Sequence, residues 1–377
     1  MQSVSRNLLL LALATSVICS ARTQAQSEPS NRAGAVFVMN NSATRNEIIS
    51  FTRGADGSLQ PTGGFATGGR GTGGVTDPLE SQGSLTLSSD HSFLFAVNGG
   101  SGEVSVFRVH GSKLALVDKK PTGGAEPNAV AQHGGLVYVL NVGGSSNVVG
   151  FTLNAHGTLT QIPNSIRFLT TNNSGAASLA FSPGGQFLLV TERATNNIDL
   201  FLVQSDGTLS AIAVNKGQPG TFAVAFAPSG AALVSETGPA GGNNASTISS
   251  YAVLPGLTLS PISTGVPTLG NANCWNAVTP DGRRVYVSNA GSATISGFSI
   301  DATGALTPIG ATVVGTNPTG ATNLDIAITA DGKFLYSLNS GNGTIGVFAI
   351  QEDGTLFNVS EADAISANAG FNGIVAF

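Results

Sequence analysis

One unit recurs along this chain seven times, and that repetition limits the folds open to it more than any other feature. Each copy starts with a run such as AVAFAPSG or NAVTPDG, whose Pro-x-Gly or Asp-Gly end signals a turn. A more apolar run follows (FLLVTE, RVYVSN), then a Gly/Asn/Ser-rich turn, then an alternating run such as IDLFLV or ISGFSI. A second turn of the type SDGTL, DATGAL or EDGTL leads into a weaker fourth run. Alternation of apolar and polar residues reads as half-buried strands, here named a, b, c and d, and no helical period competes with it. The b strands are predicted to begin near residues 36, 93, 136, 187, 232, 284 and 334, and the a strands lie near 84, 128, 178, 223, 276, 325 and 373.

The order of these strands sets the architecture. The chain enters its first copy at strand b and ends on an unpaired strand a, GIVAF, at Phe377. If that strand completes the sheet begun by the N-terminal copy, the ring closes and no open edge remains. The fold class that follows is all-β: a seven-bladed β-propeller with four antiparallel strands per blade. A row of β-sandwiches would leave GIVAF without a partner. Residues 34–377 are expected to form this single domain, preceded by a linker over 26–33 and a leader over 1–25.

Composition narrows the function classes. Charged residues make up 10% of the chain and the net charge is −5, with no basic patch, so nucleic acid is an unsuitable partner. Arg6 followed by LLLLALATSVI has the form of a cleavable export signal, with cleavage after Ala21 or Ala25. Ile18 before Cys19 argues against a lipoprotein signal, so the expected location is secreted or periplasmic. No other run is long and apolar enough to span a membrane. After cleavage Cys274 is the one remaining cysteine, so no internal disulfide can form.

The repeats SPGGQFLLVTE, TPDGRRVYVSN and TADGKFLYSLN, with the DGTL turns, resemble those of the lactonase-type seven-bladed propellers. That family, with its YVTN-type repeats, includes bacterial 6-phosphogluconolactonase and the fungal carboxymuconate cycloisomerase. The resemblance covers the whole mature chain and implies a site at one mouth of the central channel. Because neighbouring strands are antiparallel, residues entering strand a and leaving strand b share that mouth. The resemblance further implies an Arg-His pair entering one strand a, a glutamate leaving the next strand b, and an arginine one blade later. The matching positions here are Ala177 and Ser178, Glu192, and Thr237 after Glu236, so the glutamate alone is shared. His91, His110, His133 and His156 all fall in or beside turns assigned to the opposite face.

Strand b ends on asparagine at 40, 98, 141, 289 and 339, but on glutamate at 192 and 236. An asparagine there can bond the glycine-rich turn that follows, a bond an ionised glutamate cannot donate. Glu192 and Glu236 are therefore candidate catalytic residues, presented together to the channel, where repulsion would raise one pKa and leave an acid beside a base. In that solvated setting Glu192→Gln would be tolerated within about 0.5 kcal/mol. Candidate ligand-binding residues are Arg193, Trp275, Asn276, Phe222, Arg70 and Asn289, the aromatic ones suiting a flat or sugar-like ligand. Arg45 joins Arg70 on the same face. Cys274 has no histidine near it to activate it as a nucleophile. GGFATGGRGTGG (63–74) lacks the helix a phosphate loop needs and reads as a flexible connection. No cluster has metal-ligand spacing, and no metal or organic cofactor is expected. The function reading is a lactone-hydrolysing or lactone-forming enzyme acting on a small sugar- or carboxylate-type ligand. A ligand-binding propeller without catalysis, or a scaffold using the outer blade edges, are the alternatives. The chain is expected to be a monomer.

Overall fold

The computed structural model describes Met1 and residues 34–240, 242–363 and 365–377. Apart from Met1, the expected leader and the whole of the expected linker lie outside the described residues. The described residues form seven antiparallel sheets. The inner strands of blades 2 to 7 are Leu85–Leu87, Ala125–His133, Ala176–Phe181, Thr221–Phe226, Asn273–Val278 and Asn323–Ile328. Blade 1 is built from both ends of the chain: Ile374–Ala376 is its inner strand and pairs with Ala35–Met39 in the register Val36 to Ala376, Phe37 to Val375 and Val38 to Ile374. The C-terminal strand thus closes the ring as the orphan GIVAF requires. Blade 3 departs from the pattern, with its outer strand split into Leu159–Gln161 and Arg167–Phe168, both paired to Asn147–Leu153. Among the described residues there is no helix, and so none long and apolar enough to cross a membrane.

The b strands are apolar on both sides because a blade is sandwiched between two others, and FLFAVN, for example, is buried along its whole length. Their recurring tyrosine and asparagine have separate inter-blade tasks. Tyr286 Oη donates to Gly354 O (2.8 Å), Tyr336 Oη donates to Gly57 O (2.8 Å), and Tyr138 Oη donates to Gly207 O. Each reaches the c-to-d turn of the next blade, whose glycine has positive φ, +86° at Gly57 and at Gly354. A Cβ at Gly57 would lie 2.5 Å from the Phe334 ring of the neighbouring blade, so the close approach admits glycine alone. At the opposite end of strand b, Asn98 Oδ1 accepts from Thr67 Oγ1 (2.6 Å) and Asn46 Nδ2 (3.0 Å) of the preceding blade, while its Nδ2 donates to Ser105 Oγ (2.8 Å). The asparagine thus ties the incoming connection to its own strand c. Asn98 does not bond the turn that follows it, whereas Asn40 Oδ1 accepts from Ser42 N of the turn after its strand (3.1 Å).

Register shifts interrupt the start of strand a in blades 3 to 7, between Pro127 and Ala129, Ala176 and Ser178, Thr221 and Val224, Asn273 and Trp275, and Asn323 and Ile326. A bulge adds a residue and re-aims side chains. Here the re-aimed residues, Ala177, Phe222, Ala223, Cys274 and Leu324, join Trp275 in one apolar cluster at the inner strands.

Candidate functional site

The strand-a entrances and strand-b exits of the later blades surround a cavity of about 680 Å³, lined among others by Asp77, Arg193, Thr237, Cys274, Trp275 and Asn317. Its position is the channel mouth anticipated from strand order. What the sequence did not show is that the connection from blade 1 to blade 2 crosses the channel. Ser81 Oγ donates to Asn128 O of blade 3 (2.7 Å), and Gln82 N donates to Ala177 O of blade 4 (2.9 Å). From blade 6, Trp275 Nε1 donates to Ser81 O (2.9 Å) and Asn276 N donates to Gln82 Oε1 (2.8 Å). A segment leading into blade 2 reaches blades 4 and 6 only by passing over the axis, so residues 77–82 plug the channel, and Thr76 and Asp77 at its start line the cavity.

This corrects the reading of GGFATGGRGTGG as a flexible linker. Gly71 N donates to Ser42 O (2.8 Å) and Gly73 N to Asn41 O (2.9 Å), and a Cβ at Gly71 would lie 2.2 Å from the Asn41 carbonyl. The glycines let the connection lie flat on blade 1 before it turns into the channel.

The plug brings charge to an apolar mouth. Asp77 is partly exposed to the cavity, and burial, reinforced by the charge of Glu80, pushes its carboxyl up to about 7. Asn372 Nδ2, which donates to Asp77 Oδ1 (3.0 Å), and the Arg193 guanidinium act against that rise. Arg193 is ion-paired with exposed Glu80 and lies 5.9 Å from the centre of the Phe222 ring. Cys274 is buried, and its thiol is pushed well above the ordinary value by that burial, with Asp77 adding to the effect. On the inner strand of blade 7, buried Asp325 accepts from Ile326 N (2.9 Å) and from Ile374 N (3.3 Å) of the closing strand.

The two candidate catalytic glutamates are elsewhere. Glu192 is fully buried and accepts hydrogen bonds from Thr170 N (3.0 Å), Thr195 Oγ1 (2.6 Å), Asn197 Nδ2 (2.9 Å) and Thr170 Oγ1. Its partners lie on the incoming connection (Thr170), the turn that follows it (Thr195) and its own strand c (Asn197), so it holds the two elements that Asn98 holds in blade 2 and the turn between strands b and c as well. Burial pushes its carboxyl up, but the donors from Thr170, Thr195 and Asn197 outweigh that and hold it below its usual range. Glu236 is equally buried and accepts from Thr247 Oγ1 (2.5 Å). Its carboxyl rises to about 7 through desolvation. The two share no partner, so the expected channel-facing acid–base pair is replaced by two separate inter-strand staples. The carboxyl that Glu192 does face is Asp199, fully buried and pushed up to about 8 by burial and by Glu192.

Of the candidate ligand-binding residues, Arg193 and Trp275 line the cavity. Phe222 is fully buried beneath Arg193, edge-on to Trp275 at 5.4 Å. Asn276 is buried with its Nδ2 donating to Ser235 Oγ (3.0 Å), and Asn289 is buried with its Nδ2 donating to Ser296 Oγ (2.9 Å), so neither meets the mouth. Arg70 borders a separate cavity with Gly71, Thr72 and Glu126, and Arg45 is ion-paired with Glu47 at 3.0 Å. The histidines lie at the opposite-face turns, with His91 stacked on Phe377 (5.1 Å) and His133 beside Phe181 (5.8 Å). Asp77 and Glu80 were not singled out from the sequence. Their signal was available: two carboxylates and a proline, TDPLES, in an otherwise glycine-rich connection of a chain with few charges.

The sequence profile of the family described as "Lactonase, 7-bladed beta-propeller" matches residues 44–168 and 277–368, more than half of the chain. No curated protein matches the sequence. Among solved structures, the chain is similar to a candidate 6-phosphogluconolactonase of Bacteroides uniformis, at 21% identity and a TM-score of 0.68, covering 91% of this chain and 99% of that one. It is similar to a second such candidate from Bacteroides fragilis, at 20% identity and 0.67, covering 93% and 99%. It is also similar to the periplasmic gluconolactonase of Pseudomonas aeruginosa, at 18% identity and 0.67, covering 90% and 99%. At these identities the likeness concerns the fold.

Proposed function

The chain belongs to the lactonase seven-bladed β-propeller family, and on that premise we propose that its mouth cavity hydrolyses a small sugar-type lactone. One observation carries the reading: a carboxyl raised to about 7, Asp77, lies in the same cavity as the cationic Arg193, over an aromatic floor. A general base is most effective when its pKa lies near the working pH. Ionised Asp77 takes a proton from water as the water oxygen attacks the lactone carbonyl. The Arg193 guanidinium stabilises the oxyanion that develops. The acyl carbon–oxygen bond of the ring then breaks, and the proton held by Asp77 passes to the departing alkoxide, giving the open hydroxy acid. Trp275, backed edge-on by the buried Phe222, supplies the apolar wall against which a sugar ring packs.

A binding function without chemistry is the second reading. It is favoured by the Arg193–Glu80 pair, which already occupies the guanidinium, and by the placement of the histidines on the opposite face. Asp77→Asn separates the two. Hydrolysis of gluconolactones, measured above the spontaneous rate, should fall about 100-fold or more, the scale of a lost general base. Affinity for the same lactones should change little. Hydrolysis by the variant at the wild-type rate would dismiss the catalytic reading, and wild-type binding without any hydrolysis would leave the second. We further propose that the protein acts in the periplasm or outside the cell, a reading supported by the signal-like residues 1–25.

A further inference from the structure

The plug that carries Asp77 and Glu80 is held in an uncommon backbone shape. Both residues have positive φ, 40° at Asp77 and 44° at Glu80. Aspartate visits that region with some ease, but glutamate does so rarely, and such conformations persist only where surrounding contacts over-determine them. The turn's own closing bond, Glu80 N to Asp77 O, is long at 3.2 Å. The shape is imposed from outside.

The outside anchor with the most to lose is Trp275. It is the only tryptophan in the chain, it is fully buried, and its single polar atom is spent on Ser81 O at 2.9 Å. Ser81 is the residue immediately after Glu80. The same indole meets the Phe222 ring edge-on, and Phe222 in turn underlies the Arg193 guanidinium. Both partners of the Glu80–Arg193 ion pair therefore rest on one aromatic pair, Glu80 through the Ser81 carbonyl and Arg193 through the Phe222 face. An exposed ion pair by itself fixes little geometry, because solvent screens it and the long side chains are free to reorient. A buried indole whose N–H is hydrogen-bonded is a much stiffer support.

We propose that Trp275 is a positioning residue of the mouth: its indole N–H fixes the 77–82 turn across the channel and so sets where Asp77 and Glu80 stand relative to Arg193. The proposal deepens the hydrolase reading given above and rests on it for its consequence in catalysis, though not for its structural content. Trp275 touches no reacting atom in this scheme. It acts through Ser81.

The test is Trp275→Phe, which keeps an aromatic ring against Phe222 and removes the N–H. Freed from Ser81, the turn relaxes and admits water to Asp77, lifting the desolvation that raises its carboxyl. Carboxyl ¹³C resonances of aspartate-labelled protein, with Asp77 assigned by its disappearance in Asp77→Asn, should show Asp77 titrating at least one pH unit lower in the variant. The acidic limb of the kcat/KM profile for gluconolactone should move by the same amount, with a loss of about 10-fold or more in kcat at pH 7. A folded Trp275→Phe protein with an unshifted Asp77 titration overturns the proposal, whatever its activity. If that variant fails to fold, Gln82→Ala removes the neighbouring anchor, the acceptor of Asn276 N–H, and must lower the same titration. No shift there overturns the proposal equally. If the wild type hydrolyses no lactone, the hydrolase reading falls, while the titration still decides the role of Trp275.

Discussion

Replacing Glu192 by glutamine tests whether this residue is a staple or a site residue. Its carboxylate lies in a fully buried spot with donors on both sides: the Thr170 backbone N–H on Oε1, and Thr195 Oγ1, Asn197 Nδ2 and Thr170 Oγ1 on Oε2. Glutamine has one acceptor oxygen where glutamate has two. If its NH2 faces the Thr170 amide, two donors oppose each other. If it faces Oε2's partners, the threonine hydroxyls can rotate to accept, but the Asn197 amide cannot turn without giving up the bond its Oδ1 accepts from Lys216 Nζ (2.6 Å). At least one buried donor is left unpaired, which costs about 1–3 kcal/mol. The expectation of near-neutral tolerance, within about 0.5 kcal/mol, assumed a solvated turn. Burial removes that assumption. For a domain of this size the loss corresponds to a fall in Tm of about 2–6 °C. Guanidinium unfolding should show a lowered midpoint with an unchanged slope, and lactone hydrolysis by the folded variant should remain within a few-fold of wild type. An unmoved midpoint together with abolished hydrolysis would refute the staple and restore Glu192 to the site.

Two further outcomes follow from the same contacts. Removing residues 370–377 takes away the inner strand of blade 1, the Ile374 amide that Asp325 accepts and the Asn372 bond to Asp77, so the product should be insoluble or aggregated; a soluble protein with wild-type Tm would contradict ring closure. Stability should also fall as pH rises from about 5 to 8. Asp199, Glu236 and Asp325 are raised by burial to about 8, 7 and 7, so between pH 4 and 7 the native state keeps protons that the unfolded chain has released. Each such group lowers unfolding free energy by about 1.4 kcal/mol per pH unit across that window. Turn aspartates such as Asp206 and Asp301 have lowered values, so their contribution is lost only on further acidification. A Tm that climbs between pH 5 and pH 8 would contradict this.

The fold was legible because its information is periodic. Strand alternation, the turn glycines and the unpaired GIVAF all repeat or close at a fixed interval, and together they determined the blade count, the strand order and the pairing of residues 374–376 with 36–38. The mouth was legible in outline for the same reason, since antiparallel order alone puts Arg193 and Trp275 on one face. Its chemistry was not. The bulges at the start of strand a turn Cys274 and Phe222 inward with no sequence mark at those positions. The plug was missed because a glycine-rich run reads as slack, when here the absence of side chains is what lets backbone lie against backbone at Gly71. Asp77 and Glu80 sit outside the repeat, and a search by repeat position passes over them.

The carboxylates of blades 4 and 5 also have an answer that repeat position alone does not supply. Each residue ending strand b must satisfy whatever the incoming connection and strand c present to it. In blade 2 those neighbours are mixed: Thr67 and Asn46 donate and the Ser105 hydroxyl accepts, so an amide that both donates and accepts fits. In blade 4 the Thr170 amide, the Thr170 and Thr195 hydroxyls and the Asn197 amide all donate, and an acceptor-only side chain is the one that matches. Asp199 on the adjacent strand completes the arrangement, since the proton it keeps allows two carboxyls to occupy one buried space with a single negative charge. In blade 5 Thr247 Oγ1 donates to Glu236, and burial outweighs the hydrogen bonds it receives, so its carboxyl rises to about 7. At Glu192, glutamate thus stands in place of asparagine because its neighbours there only donate, a structural cause for the carboxylate.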